Sequence, residues 1–282
     1  MPNRCNSDTD SIVWMEEDTQ IVCVVLIALS VCSGHIFVFG VIRMKELWAQ
    51  LEKNAVFVLV AGLIIVGIYL LSKLSERFLR EKRKVSPARR ISIIGTCSAI
   101  AMVLHILDFP LVFLAPDFYK LDFSELPVLL SGFYLGPSAA VACEGVKILL
   151  KLLIVGTSTA FVGDFANFVV GCSFVVPATI WYHAHKSKHS AIIGLTVGTL
   201  VMTVLGTAFN GIYLLPKFAE LYGIPLEAII GMGSAIHSSV SSITTFVVIC
   251  VAPLNLVKGV SVSILTMLLY KKVARPLFGI KH

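Results

Sequence analysis

The sequence predicts an all-α membrane protein, on three observations. Hydrophobic residues make up 57% of the 282 and charged ones only 14%, against about 25% charged in soluble domains. Apolar stretches long enough to cross a bilayer recur along the chain, giving a mean hydropathy of +0.89. Lys and Arg gather in the short segments between those stretches. This composition excludes a disordered chain, a collagen and a small disulfide scaffold. Cys23, Cys32, Cys97, Cys143, Cys172 and Cys250 lie inside apolar runs, where a thiol acts as a small hydrophobe; only Cys5 is expected to be exposed. The net charge of +6 is read as basic cytoplasmic loops and not as a nucleic-acid surface.

The apolar stretches fall at 21–42, 55–72, 91–114, 125–143, 146–156, 160–182, 190–215 and 245–270, with 146–156 too short to span alone. The first 20 residues carry Asp8, Asp10, Glu16, Glu17 and Asp18 against Arg4, so no cleaved signal peptide is expected. Segment 73–90 holds Lys73, Arg77, Arg80, Lys82, Arg83, Lys84, Arg89 and Arg90 and is expected in the cytoplasm. Lys186 and Lys188 mark 183–189 as cytoplasmic too, as do Lys271, Lys272, Arg275 and Lys281 the C-terminus. Six spans after residue 90 satisfy all three assignments. Both termini are then cytoplasmic, in a multi-pass cell-membrane protein. The break at Ser86-Pro87 divides the chain into an accessory transmembrane hairpin with a basic linker, 1–85, and a six-helix core, 88–282.

Enzyme signatures are missing. There is no G-x-x-x-x-G-K-[ST] to bind nucleotide phosphates, no G-x-S-x-G, no H-E-x-x-H and no C-x-x-C. His183, His185 and His189 form a metal-like tract, read here as a solvated loop. His105 with Asp108 is a conceivable acid–base pair, with an interfacial polar pair as the plainer reading.

Ionisable and amide side chains inside spans are costly, which makes each a site candidate. Asn255 and Lys258, three apart in Pro253-Leu254-Asn255-Leu256-Val257-Lys258-Gly259, share a helix face. Their donors and acceptor suit the edge of a flat heterocycle with alternating carbonyl and N–H groups, and Pro253 loosens the helix beside them. The alternative is a snorkelling lysine beside an amide bonded to a neighbouring helix. Asn210 and Tyr213 likewise share a face, where aromatics could sandwich a ring or mark an ordinary interfacial helix end. Asp164 and Asn167, flanked by Phe165 and Phe168, open the span from about 160; helix capping explains Asp164 equally well. Glu144 and Lys147 are expected as a structural ion pair near the cytoplasmic end of their helix. Gly95 and Ala99, with Cys97, Ser98 and Ala101, give the first core span a smooth face for internal packing or for another membrane subunit.

In order, these pieces resemble a known family. Leu121-Asp122-Phe123-Ser124-Glu125-Leu126-Pro127, Gly132-Phe133-Tyr134-Leu135-Gly136-Pro137 and Glu144-Gly145-Val146-Lys147 look like the substrate-binding subunits of energy-coupling-factor (ECF) transporters. Gly156-Thr157-Ser158-Thr159-Ala160, Gly163-Asp164-Phe165-Ala166-Asn167-Phe168 and Pro177-Ala178 continue the match. The Asn210…Leu215-Pro216 element, the Asn255–Lys258 element and Leu268-Leu269-Tyr270-Lys271-Lys272 are similar to the riboflavin-specific members, over about 88–275. The resemblance implies a six-helix protein that binds a vitamin from outside. It implies partnership with a transmembrane coupling subunit and two cytoplasmic ATPases, which agrees with the missing P-loop. Riboflavin would be a transported ligand, with no resident cofactor. The resemblance assigns Asn255, Lys258 and Asn210 to the flavin ring and Gly95 and Ala99 to coupling-subunit docking. Asp122, Asp164 and Asn167 would suit the ribityl hydroxyls. Two readings stand beside this one: a subunit for a different vitamin, and a membrane-embedded enzyme using His105 and Asp108.

Overall fold

The computed structural model describes residues 48–49, 52, 54–79, 85–157 and 159–278, without the side chains of 271–278. Residues 1–50 and 51–282 form separate units, and the architecture below belongs to the second. The apolar stretch 21–42 lies outside the described residues.

Helix α1 (Ala55–Phe78) is followed by α2 (Pro87–Ile106), α3 (Glu125–Leu135), α4 (Pro137–Ile154), α5 (Val162–His185) and α6 (Lys188–Phe209). A π-helical turn, Asn210–Leu214, leads from α6 into α7 (Leu215–Tyr222); α8 (Leu226–Ile236) and the short α9 (Ile243–Phe246) follow. A second π turn, Val247–Val251, opens α10 (Ala252–Phe278). Between α2 and α3, β1 (Phe109–Pro110) pairs antiparallel with β2 (Lys120–Leu121), Phe109 opposite Leu121. Among the described residues five helical stretches are long and apolar enough to cross a membrane: Ala55–Phe78, Pro87–Ile106, Val162–His185, Lys188–Tyr222 and Ile243–Tyr270. Large apolar side chains such as Leu63, Leu70, Ile100, Leu200, Val204 and Ile264 face outward, as expected of a surface solvated by lipid.

The main core gathers Cys97 and Ala101 of α2, Leu129 and Phe133 of α3, Ala140 and Cys143 of α4, Phe174 and Ala178 of α5, Leu195 and Met202 of α6, and Val262 of α10. Among the described residues Cys97, Cys143, Cys172 and Cys250 are buried free thiols, with Ser98 Oγ donating to Cys143 Sγ (3.3 Å). At the end that carries Arg89 and Arg90, the Arg90 guanidinium donates to Ser138 Oγ (2.7 Å) and the Arg89 guanidinium lies 5.9 Å from the Tyr134 ring centre. The His183 ring bonds the Gly132 carbonyl oxygen there (2.9 Å) and is buried, while His185 and His189 are exposed. The three histidines therefore do not converge as a metal site would require.

The second core helix breaks earlier than its apolar run suggests. The stretch 125–143 divides at Gly136-Pro137, and α4 then runs unbroken through Gly145. Gly136 has φ of +109°, open to a residue without Cβ, and Pro137 supplies no N–H and opens the next helix. The Glu76 carboxylate from α1 sits against Gly136 and accepts from the Ser138 N–H and Oγ–H (both 2.8 Å), capping α4 from another helix. The two π turns have a parallel cause. Pro216 and Pro253 each stand one residue beyond such a turn, after Leu215 and Ala252, where a proline ring forbids the ordinary i−4 hydrogen bond and the wider turn absorbs the clash.

Gly136→Ala is expected to lower the thermal midpoint of the detergent-solubilised protein, by about 1–3 kcal/mol of stability, because it adds backbone strain and meets Glu76. Gly62→Ala, where an added Cβ meets nothing within 4 Å, should leave the midpoint unchanged or raised.

Candidate functional site

At the end of the bundle opposite Arg90, a cavity of about 410 Å³ is lined by α2, the β1–β2 hairpin, α4, α5, both π turns, α7 and α10. Its size is that of an ordinary small-molecule pocket. Apolar wall comes from Val170, Leu214, Phe218, Val251 and Leu254.

One polar wall is built on α10. Asn255 and Lys258 are both buried and one turn apart, and both line the cavity. The Lys258 ammonium donates to Asp122 Oδ2 (3.0 Å) and pairs with Glu125 Oε1 (3.1 Å). Asp122 Oδ1 accepts the Ser124 N–H (2.8 Å), and His105 Nδ1 lies 3.5 Å from Asp122 Oδ2. In the loop ahead of α3, burial by itself would raise the Asp122 carboxyl. The Lys258 ammonium and the adjacent His105 ring outweigh it and hold that carboxyl well below the usual carboxylate range. Glu125 also faces Lys147 of α4 (3.7 Å), which donates to Ser124 Oγ (3.0 Å) and pairs with Glu144. Three carboxylates and two ammonium groups thus interlock across the loop, α3, α4 and α10, in a region where an isolated charge would be prohibitively costly. The Glu144–Lys147 pair sits mid-helix within this network, fully buried, and not near a helix end as the sequence suggested.

The Asn255 amide has a different standing. Its Nδ2 is buried and without a hydrogen-bond partner among the described residues. Gly206 lets α6 pass close by, since a Cβ there would lie 2.9 Å from that nitrogen. Such an orphaned buried donor, worth about 1–3 kcal/mol in lost solvation, suits a ligand carbonyl.

The third group is Asn210, at the start of the first π turn. Its Nδ2 donates to the Gly206 carbonyl (2.7 Å), and Tyr119 Oη donates to its Oδ1 (2.8 Å). The amide is fixed at both ends and keeps one N–H and one lone pair for a ligand. Across the cavity, Lys151 of α4 pairs with Asp164 Oδ1 (2.7 Å), leaving Asp164 Oδ2 buried and without a partner among the described residues. Asn167 lines the same wall.

The cavity therefore brings together Asn255, Lys258, Asn210, Asp164, Asn167 and Asp122. Tyr213 is not among its lining residues. The π turn rotates Tyr213 away from Asn210, and its ring stacks on Phe57 (6.5 Å) and leans on Phe209 (5.3 Å). His105 and Asp108 do not pair. Helix α2 ends at Ile106, His105 turns to Asp122, and Asp108 bonds Lys120 across the hairpin (3.0 Å). Gly95 and Ala99 lie exposed on α2, away from the cavity. Sequence reasoning missed Glu125, Tyr119, Lys147 and Lys151 as organisers of the site. Tyr119 bonds Asn210 and Glu125 pairs with Lys258 far along the chain, and Lys147 was read only as the ion-pair partner of Glu144.

Residues 89–270 match the family model described as ECF transporter, substrate-specific component. "Riboflavin transporter RibU" of Staphylococcus aureus (strain TCH60) is 34% identical over 195 residues, covering 69% of this chain and 95% of that protein. "Riboflavin transporter FmnP" of Bacillus subtilis (strain 168) is 30% identical over 186 residues, covering 66% of this chain and 92% of that one. A solved S component of a bacterial ECF transporter is 36% identical and superimposes with a TM-score of 0.54, over 67% of this chain and 96% of that one.

The charge network carries a test of its own. Lys147→Met should destabilise the fold by about 3–5 kcal/mol, since it strands Glu144 and Glu125 in the interior. Lys120→Met, at an exposed pair, should cost under about 1 kcal/mol. Thermal unfolding of the two variants side by side measures the difference.

Proposed function

The chain belongs to the family of ECF transporter substrate-specific components, and on that premise we propose that it is the riboflavin-binding subunit of such a transporter. It is a transport component and not an enzyme. Riboflavin is its cargo and not a resident cofactor. The observation that carries the reading is the convergence of the unpartnered Asn255 amide, Lys258 and Asn210 on one cavity lined by both polar and apolar side chains.

The chemistry of the ligand fits that face. The pyrimidine edge of a flavin alternates carbonyls with an N–H. Asn255 Nδ2 would donate to one carbonyl and the remaining Lys258 hydrogen to the other. The free lone pair of Asn210 Oδ1 would take the ring N–H. Val170, Leu214, Leu254 and Phe218 would cover the apolar dimethylbenzene end. Asp164 Oδ2 and Asn167 would accept from and donate to the ribityl hydroxyls, with Asp122 within the same polar rim. His105 and Tyr119 act through Asp122 and Asn210, holding their acceptors in place.

The chain crosses the cell membrane several times, with both core termini cytoplasmic and the cavity facing outward. The exposed face of α2 at Gly95 and Ala99 meets a transmembrane coupling subunit, which links it to two cytoplasmic ATPases. The absent P-loop supports this division of labour.

Purified in mild detergent without nucleotide, the chain should bind riboflavin and quench its fluorescence. Asn255→Ala should weaken binding about 10–100-fold, the worth of one or two hydrogen bonds to a buried ligand edge. Monodisperse wild-type protein that leaves riboflavin emission unchanged would contradict the assignment.

A further inference from the structure

Helix α1 precedes the segment matched by the family, which begins at residue 89, so its place against the bundle is a property of this chain. We propose that α1 is a positioning element for the ligand cavity: through Phe57 it sets the wall formed by Asp164 and Asn167, and so the grip on the polyhydroxyl side chain of the flavin. The proposal rests on the riboflavin reading above.

Four observations converge on it. The Phe57 ring meets Phe165 edge-on (5.8 Å, 90° between planes) and stacks on Tyr213 (6.5 Å, 9°). Phe165 lies between Asp164 and Ala166 on the first turn of α5, and Phe57 packs in the same cluster as the cavity-lining Ala166 and Leu214. A shift of Phe165 therefore shifts the polar wall next to it.

The backbone entering that first turn is held by Thr157 Oγ1, which accepts the Phe161 N–H (3.0 Å), and by Thr159 Oγ1, which accepts the Gly163 N–H (3.0 Å). Ala160 (φ +46°) and Phe161 (φ +70°) hold left-handed backbone without being glycine, and Phe161 provides no side-chain cap. Side chains packed on Phe165 and Asp164 add to the hold of the two threonines and set where the turn sits. On the bundle side these are Phe209 (6.2 Å from Phe165) and the Lys151–Asp164 pair; on the outer side the ring that meets Phe165 is Phe57.

Phe57 is itself pinned along the length of α1. At the far end Glu76 accepts two hydrogen bonds from Ser138, whose hydroxyl oxygen also receives Arg90. Between the ends, Ile65, Ile68 and Tyr69 pack on Val141, Ile148, Phe168 and Cys172. A helix clamped at one end and packed along its middle cannot slide, so it delivers the Phe57 ring to a fixed point. Phe57 does not line the cavity; it works through Phe165.

The test uses two flavins on the full chain. Riboflavin carries the polyhydroxyl side chain and lumiflavin, with a methyl in its place, does not. Dissociation constants are measured by fluorescence quenching for wild type, Phe57→Ala and Phe57→Tyr. The proposal expects Phe57→Ala to weaken riboflavin about tenfold while lumiflavin changes less than twofold, and Phe57→Tyr to restore the wild-type ratio. A purely structural role would lower the melting temperature and leave the ratio of the two constants unchanged, which overturns the proposal. So would an equal loss for both flavins. If Phe57→Ala does not fold, Phe57→Leu keeps the apolar bulk without the ring and should weaken riboflavin alone by about threefold; an unchanged ratio there also overturns it. Wild-type protein that binds neither flavin ends the riboflavin reading itself, a result distinct from a wild type that binds both and a variant that keeps their ratio.

Discussion

The buried ammonium of Lys258 ties the site end of the structure together. Its charge is placed among helices whose outer faces are apolar, and it is tolerated because Asp122 and Glu125 converge on it at 3.0 and 3.1 Å. Those carboxylates belong to the loop and the first residue of α3, so the pairing ties the outer loop to the last helix. Glu125 reaches Lys147 as well, and Lys147 reaches Glu144 and Ser124, which brings α4 into the same knot. Asn255 sits one turn from Lys258 on the same helix and is aimed into the cavity by that fixation. Removing one charge would leave the others without compensation, so the geometry of the ligand edge and the stability of the bundle depend on the same contacts.

Two prolines complete the arrangement. Pro216 and Pro253 each follow a π turn, and each turn carries cavity residues: Asn210 and Leu214 in one, Val251 in the other. A regular α-helix cannot accept a proline in its interior without losing a hydrogen bond and clashing one turn back. Here the widened turn resolves the clash, and in the first turn it leaves Asn210 on the cavity wall. π turns often mark functional positions for this reason.

Much of this was legible in the sequence, and the reasons for the rest are physical. Asn255 and Lys258 could be read together because helical neighbours three apart share a face whatever the tertiary structure. Glu144 and Lys147 were legible by the same rule, although their depth was not, because the rule says nothing about which end of a helix a neighbour will cover. The rule failed at Asn210 and Tyr213, where the π turn changes the angle per residue, and at His105 and Asp108, where the helix ends between them. The clamp of Tyr119 on Asn210 and the salt link from Lys258 to Asp122 span 91 and 136 residues, distances over which local pattern carries no information. Helix α1 was readable as a membrane-length apolar segment. Its role was not, since the ring that meets Phe165 and the carboxylate that caps α4 look like ordinary members of an apolar helix and its basic end.

The central claim is that the cavity orients a flavin with its pyrimidine edge on Asn255, Lys258 and Asn210. The most direct measurement is an experimental structure of the full chain saturated with riboflavin. The account predicts ring density with its carbonyls at hydrogen-bond distance from Asn255 Nδ2 and Lys258 Nζ, and the ribityl chain running toward Asp164. A flavin bound with its dimethylbenzene end on Asn255, or seated outside this cavity, would contradict it.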